Sequence, residues 1–222
     1  MQISPLLNIG RGVSALIGGG GKTTLLYTLA EELRKKGSVV LCTSTHIRVP
    51  EQYPLVTAGA EELRAALDTH GAVCAGTRAD GGKLTAPPVS FEELAALADY
   101  VLVEADGAKG LPLKAHADYE PVVPRNAQRV VLVVGADGFG KPIAEVCHRP
   151  ALYAERALVS PDDIATPAIA ARVIAAEGFG DRVYVNKVES ADGYAAAEEL
   201  TKRLSCPVVA GSLRQEVYTC LR

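Results

Sequence analysis

Strand-length apolar runs alternate with segments of helical period along almost all of the 222 residues, and an early run ends in four glycines followed by Lys-Thr-Thr. These two observations predict an α/β fold of the three-layer, P-loop NTPase-like kind, with a mainly parallel sheet and helices on both faces. The alternation calls for right-handed crossovers between parallel strands, and the glycine run places a phosphate-type loop between the first strand and its helix. Composition adds a third point: 48% hydrophobic and 22% charged residues suit one ordinary globular domain spanning 1–222.

The elements follow in order. Val13 to Ile17 reads as a buried strand. Thr23 to Lys36 carries Leu25, Leu26, Leu29 and Leu33 at helical spacing, with Gly37 where a C-terminal cap belongs. Ser38 to Thr43 is a second strand, 44–54 a loop, and Gly59 to Thr69 a helix ended by Gly71. Two short strands, Ala72 to Thr77 and Lys83 to Ala86, flank Asp80-Gly81-Gly82 and predict a small antiparallel hairpin. Ser90 with Glu93 is a capping box opening a helix to about Ala98. Tyr100 to Glu104 is an apolar strand ending in an acid. Residues 105–128, with three prolines, predict an extended loop. Arg129 to Val134 is again a strand, and helical pieces occupy 142–157. The helix at 167–177 has Thr166 as cap and Pro167 at its first position. Val183 to Val185, a helix from Ser190 to Leu204 and a last strand from Pro207 to Gly211 complete the chain.

The charge balance, 23 Lys+Arg against 26 Asp+Glu, argues against nucleic acid polymers held by positive charge, so any bound polyanion must be small and held locally. No apolar run has the length of a membrane span, and the N-terminus predicts no signal peptide. Five cysteines, odd in number and without a C-x-x-C pair, suit a reducing cytoplasm and provide no zinc spacing.

The chemistry concentrates at strand ends. In Gly18-Gly19-Gly20-Gly21-Lys22-Thr23-Thr24, glycines let backbone N–H groups curl around phosphate oxygens, and a helix start adds donors and a favourable dipole. Lys22 would reach the β- and γ-phosphates of GTP or ATP, the Thr23 hydroxyl would ligate Mg²⁺, and Thr24 would lie nearer the α-phosphate. The usual G-x-x-x-x-G-K spacing has its first glycine where this chain has Leu16, which leaves the first turn to Gly18. Glu104 supplies the strand-end carboxylate for Mg²⁺ or the γ-phosphate. Asp106 is placed to orient an attacking group or act as base. Asn186-Lys187-Val188-Glu189 resembles the guanine-reading N-K-x-D, with Glu189 as the acid. Thr45 and His46 leave the second strand at the edge of the glycine loop, where Thr45 would complete the metal shell. Lys109 and Lys114 follow the acidic strand and are candidates to offset phosphate charge or clamp an anionic substrate. His148 and Arg149 offer a second anion contact. His116 reads as an ordinary loop residue.

Together these stretches resemble the YqeC family of selenium-dependent hydroxylase accessory proteins. The most specific piece is Glu104-Ala105-Asp106-Gly107-Ala108-Lys109-Gly110, and the resemblance extends from the glycine loop through Thr43-Ser44-Thr45-His46 and His148-Arg149-Pro150 to Val185–Glu189. Two positions depart from the family's pattern, Glu189 for Asp and His116 for Pro. The resemblance implies a role in maturing molybdenum hydroxylases, with a client hydroxylase or its cofactor-assembly proteins as partner. It also implies similarity to metallocentre-assembly GTPases. A small-molecule kinase and a non-catalytic, nucleotide-gated adaptor remain as alternatives, as does a homodimer that completes the site.

Overall fold

The computed structural model, which describes residues 1–222, gathers the strand-like runs into one nine-stranded sheet. A one-turn helix α1 (Ile3–Leu6) precedes β1 (Gly12–Gly18), and α2 (Lys22–Leu33) follows the glycine run. Then come β2 (Val39–Thr43), β3 (Ile47–Arg48), β4 (Leu55–Val56), α3 (Ala60–His70) and β5 (Ala72–Ala75). The hairpin strands β6 (Thr77–Ala79) and β7 (Lys83–Thr85) lead to α4 (Phe91–Leu97) and β8 (Tyr100–Glu104). After β9 (Leu113–Lys114) and β10 (Ala127–Gly135) the chain forms α5 (Ile143–Val146), β11 (Cys147–His148), α6 (Pro150–Ala157) and α7 (Pro167–Glu177). It closes with β12 (Arg182–Asn186), α8 (Ala191–Thr201), β13 (Val208–Ser212) and β14 (Val217–Cys220).

The sheet order is β14-β13-β12-β10-β1-β8-β2-β5-β4, parallel throughout except for β14. Side chains alternate across it as strand geometry requires. Ala15 and Ile17 of β1 face a cluster with α6, α7 and α8, while Val13 joins Val40 and Val101 against α3 and α4. Leu16 points the other way, to Leu25, Leu26 and Leu29 of α2 and to Ile3 and Leu7 at the N-terminus. Each such aliphatic side chain, fully removed from water, contributes about 1.5–3 kcal/mol. The result is the three-layer α/β arrangement expected, with helices on both faces.

Register fixes the site. Leu16 pairs with Glu104, Gly18 with Val133, Thr43 with Glu104 and Gly135 with Asn186. The carboxyl ends of five parallel strands are therefore level along one edge, where ligands of open α/β sheets bind.

Several local expectations change. The second helix ends at Leu33, and Gly37 is not its left-handed cap. Gly37 lies instead against Asp99, whose carboxylate accepts from the Ser38 amide and hydroxyl. A hairpin forms around Asp80–Gly82, but its first arm is Thr77–Ala79. Ala72–Ala75, expected to be that arm, is a parallel strand of the main sheet, and the hairpin joins β3 in a separate three-stranded antiparallel sheet. The loop 105–128 contains β9, which pairs in parallel with β11. The edge strand β14 and helix α1 were not anticipated. The capping box at Ser90, the Thr166 cap with Pro167 and the Gly71 C-cap are as expected.

Candidate functional site

The glycine loop leaves β1 through Gly18 at φ +93°, and Gly20 and Gly21 also have positive φ, +80° and +127°. Packing demands glycine as firmly as the dihedrals do. A Cβ at Gly18 would lie 2.3 Å from the Val133 carbonyl, at Gly19 2.6 Å from that of Leu111, and at Gly20 2.3 Å from the Gly135 nitrogen. Chain neighbours take up the first amides: Gly18 N–H donates to Asp106 Oδ2 (2.8 Å), Gly19 to Val133 (2.9 Å) and Gly20 to Leu111 (3.0 Å). The amides of Gly21, Lys22, Thr23 and Thr24 have no protein acceptor. Four free donors at the positive end of α2 form a ready-made anion site.

Lys22, Thr23 and two acids meet beneath this loop. The buried Lys22 ammonium donates to the Gly18 carbonyl at 2.6 Å and lies 2.9 Å from Asp106 Oδ1 and 3.9 Å from Glu104 Oε1. Thr23 Oγ1 donates to Glu104 Oε2 at 2.8 Å. Burial pushes the Glu104 carboxyl above its ordinary range, against the pull of Lys22 and Thr23. Burial acts the same way on Asp106. There it is overcome by the hydrogen bond to His116, the charges of Lys22 and Lys114 and the Gly18 amide, and the carboxyl is held well below the carboxylate range.

His116 is the residue that sequence reasoning missed. Its ring is fully buried, with Nε2 2.6 Å from Asp106 Oδ2 and Nδ1 2.5 Å from Glu177 Oε2, and its backbone N–H donates to the other Glu177 oxygen. Glu177, at the end of α7, also pairs with Arg156. A chain of hydrogen-bonded polar groups thus runs from the glycine loop through the sheet edge to α6 and α7. The signal was present as the departure from proline at position 116, but Glu177 lies 61 residues away and its proximity is visible only in the fold.

Lys114, expected to face an anionic substrate, has its buried ammonium against Glu120 (2.7 Å), the Gly107 carbonyl (2.5 Å) and Asp106 (3.2 Å). Arg149 shares the same Glu120 carboxylate at 2.5 Å and reaches Tyr119 Oη at 3.1 Å. Burial raises the Glu120 carboxyl, but these two cations outweigh it and leave it below its ordinary value. His148 pairs with Lys114 along β9–β11, and burial with the nearby Arg149 lowers its pKa. Lys109 is exposed at φ +51°, next to Gly110 in the turn before Leu111. Thr45 donates its N–H to Thr43 Oγ1 (3.0 Å), whose hydroxyl donates to the Glu104 carbonyl (2.7 Å), and His46 stands exposed beside it.

On the far side of the loop, Asn186 Nδ2 donates to the Gly20 carbonyl (2.8 Å), while its Oδ1 accepts from Tyr184 Oη and the Leu213 amide. Asn186 therefore ties the phosphate loop to the turn after β13. Lys187, at φ +62°, pairs with Asp137 at 2.7 Å, and Ser212 Oγ donates to Glu189 Oε1 at 2.7 Å. These residues, with Thr24, Leu213 and Arg214, line an open cleft beside the start of α2.

No group of three His, Cys, Asp or Glu side chains gathers into a metal cage. The donors present are hard oxygens, the Thr23 hydroxyl and the Glu104 carboxylate in mutual contact. They fit Mg²⁺, which keeps several waters and takes one or two protein ligands besides substrate phosphates.

A family model described as "YqeC protein" matches residues 14–151. The YqeC protein of Escherichia coli (strain K12) is 33% identical over 159 residues, 68% of this chain and 62% of that protein, so the match spans less than two thirds of the relative's length. Among solved structures, the signal recognition particle 54 kDa protein of Aeropyrum pernix K1 in complex with GDP superimposes with TM-score 0.43 and 17% identity over 95% of this chain and 44% of that one. The stretch matched by the family model contains the glycine loop, both acids, His116 and the Lys114–Glu120–Arg149 cluster; the chain belongs to the YqeC family.

Proposed function

We propose that this protein binds a purine nucleoside triphosphate with Mg²⁺ and hydrolyses it while serving as an accessory factor in the maturation of a molybdenum hydroxylase. The observation that supports nucleotide binding is the set of four free amides at Gly21–Thr24, with Lys22 and Thr23 facing Glu104 from the same helix turn. The maturation role draws its support from family membership alone.

Thr23 and Glu104 would hold Mg²⁺, which when bound supplies charge neutralisation at the β- and γ-phosphate oxygens. Lys22 moves from the Gly18 carbonyl to phosphate. Asp106 keeps its charge and stays paired with Lys114 and His116, so it holds the first glycine amide in place. A carboxyl with so low a pKa is a weak proton acceptor at neutral pH, and we assign Asp106 to positioning rather than to base catalysis. The cleft at Asn186–Glu189 would receive the base, with Ser212 fixing one oxygen of Glu189.

Thermal unfolding with Mg²⁺ and each nucleotide tests the reading. Occupancy at 100 times Kd adds about 2.7 kcal/mol of stability. GTP or ATP is expected to raise Tm in the parent and not in Lys22→Ala. No shift with any nucleotide, or an equal shift in Lys22→Ala, defeats the proposal. A larger shift with ATP than GTP removes the guanine-reading role from Glu189.

A further inference from the structure

A second groove opens at the same sheet edge, on the opposite side of Glu104 from the base cleft. Its floor is the turn after β2, Ser44 to His46, and one wall is Thr85 of β7. The other wall is the segment from Tyr119 to Val122, and Ser44 Oγ joins floor to wall through the Val122 carbonyl at 2.5 Å.

Two features of the wall point to a ligand. Tyr119 is 73% exposed, unusual for an aromatic side chain, yet it is not loose. Arg149 donates to its hydroxyl at 3.1 Å and carries its guanidinium 5.5 Å from the ring centroid, while Arg149 is itself fixed by Glu120 and the Ala115 carbonyl. A ring braced from one side and open on the other is a stacking platform. The second feature is charge. The cations nearby, Lys114 and Arg149, both engage Glu120 Oε2, and neither lines the groove. Glu120 does line it, and its Oε1 has no hydrogen-bond partner. His46 and Thr45 line the groove with it, the Thr45 hydroxyl 3.4 Å from Thr43 Oγ1.

We propose that this groove binds a second small ligand: a planar ring without negative charge, stacked on Tyr119, with N–H or O–H donors directed to Glu120. The assignment goes beyond nucleotide binding and does not depend on it. It also reverses the sequence expectation that Lys114 and Arg149 clamp an anion, because both cations are placed behind the one carboxylate that the ligand meets.

An isosteric series isolates the charge. Benzamidine, benzamide and benzoate share one ring and differ in the charge of one substituent. Titrated at millimolar concentration into the isotopically labelled 222-residue chain, benzamidine and benzamide are expected to shift the amide resonances of Ser44–His46, Tyr119, Glu120 and Val122, and benzoate is not. Tyr119→Ala should weaken benzamidine about tenfold, within the range for loss of one stacking partner, while Tyr119→Phe retains most of the affinity. Benzoate binding as well as benzamidine, no shift at these amides with any probe, or equal affinity in Tyr119→Ala each overturns the proposal. The Tm increase caused by nucleotide, measured on the same variants, checks their folding. It should be unchanged, and its absence in the parent would count against nucleotide binding while leaving the probe titration readable.

Discussion

Replacing His116 by alanine removes a fully buried ring from between two carboxylates, 2.6 Å from Asp106 and 2.5 Å from Glu177. Hydrogen bonds to charged groups contribute about 1.5–3 kcal/mol each, and stripping one member from a buried ionic cluster costs about 3–5 kcal/mol. Here both acids keep other partners. Asp106 retains Lys22, Lys114 and the Gly18 amide, and Glu177 retains Arg156 and the residue 116 backbone N–H. The lower end, about 3 kcal/mol, is therefore expected, equivalent to a fall in Tm of about 6–12 °C for a chain of this size. Urea unfolding followed by circular dichroism measures it, provided the slope m is unchanged. The pH dependence has a definite sign. Asp106 has a depressed pKa in the fold, so its contribution is present above the unfolded carboxyl value near 4 and is lost as pH falls through the folded one. The part of the gap between parent and His116→Ala that runs through Asp106 should be full at neutral pH and should narrow as pH falls below about 4. A cost under about 1 kcal/mol at neutral pH with unchanged m would show that His116 does not bridge the two acids.

Three further substitutions test the loop, a control glycine and the strand-end acid. Gly20→Ala, at φ +80° with its Cβ 2.3 Å from the Gly135 nitrogen, combines left-handed strain with overpacking and should cost about 2–5 kcal/mol in urea unfolding. Gly107→Ala, with nothing within 4 Å, should stay within about 0.5 kcal/mol. Glu104→Gln removes an acid whose pKa is raised by burial, and such an acid costs stability as pH rises through its folded value. The variant should therefore lose less stability than the parent between acidic and neutral pH, and should also lose the Mg²⁺-dependent part of any nucleotide-induced Tm shift. A steeper loss than in the parent would contradict the buried, pKa-raised position of Glu104.

How much of this was legible in the sequence follows from where the information resides. The seven parallel strands of four or more residues, with the helices between them, announce themselves by periodicity, because each must bury an apolar face. Capping at Ser90 and Thr166 is local chemistry, and both caps form. The short strands β3, β4, β9 and β11 have two residues each, too few for any period to appear. Gly37 was misread because a glycine after a helix usually supplies a left-handed turn, whereas this one makes room for Asp99. At the site, the glycine loop and Glu104 were legible because chemistry and strand ends coincide in one short stretch. The commitments of Lys114 and Arg149 to Glu120, and of His116 to Glu177, join residues that are 6, 29 and 61 positions apart, and no spacing rule records them.

The resting place of Lys22 bears on how the loop meets a phosphate. Its ammonium already has Asp106 as an internal counter-ion, and Asp106 keeps three further partners, Lys114, His116 and the Gly18 amide, when Lys22 leaves. Arrival of a polyphosphate is then an exchange of one anion for another around a single lysine. Little uncompensated charge projects from such a loop into solvent, so encounter relies on contact rather than on long-range steering, and affinity should vary only weakly with ionic strength. What the loop presents to an arriving ligand is therefore the geometry of four free amides rather than a field of charge.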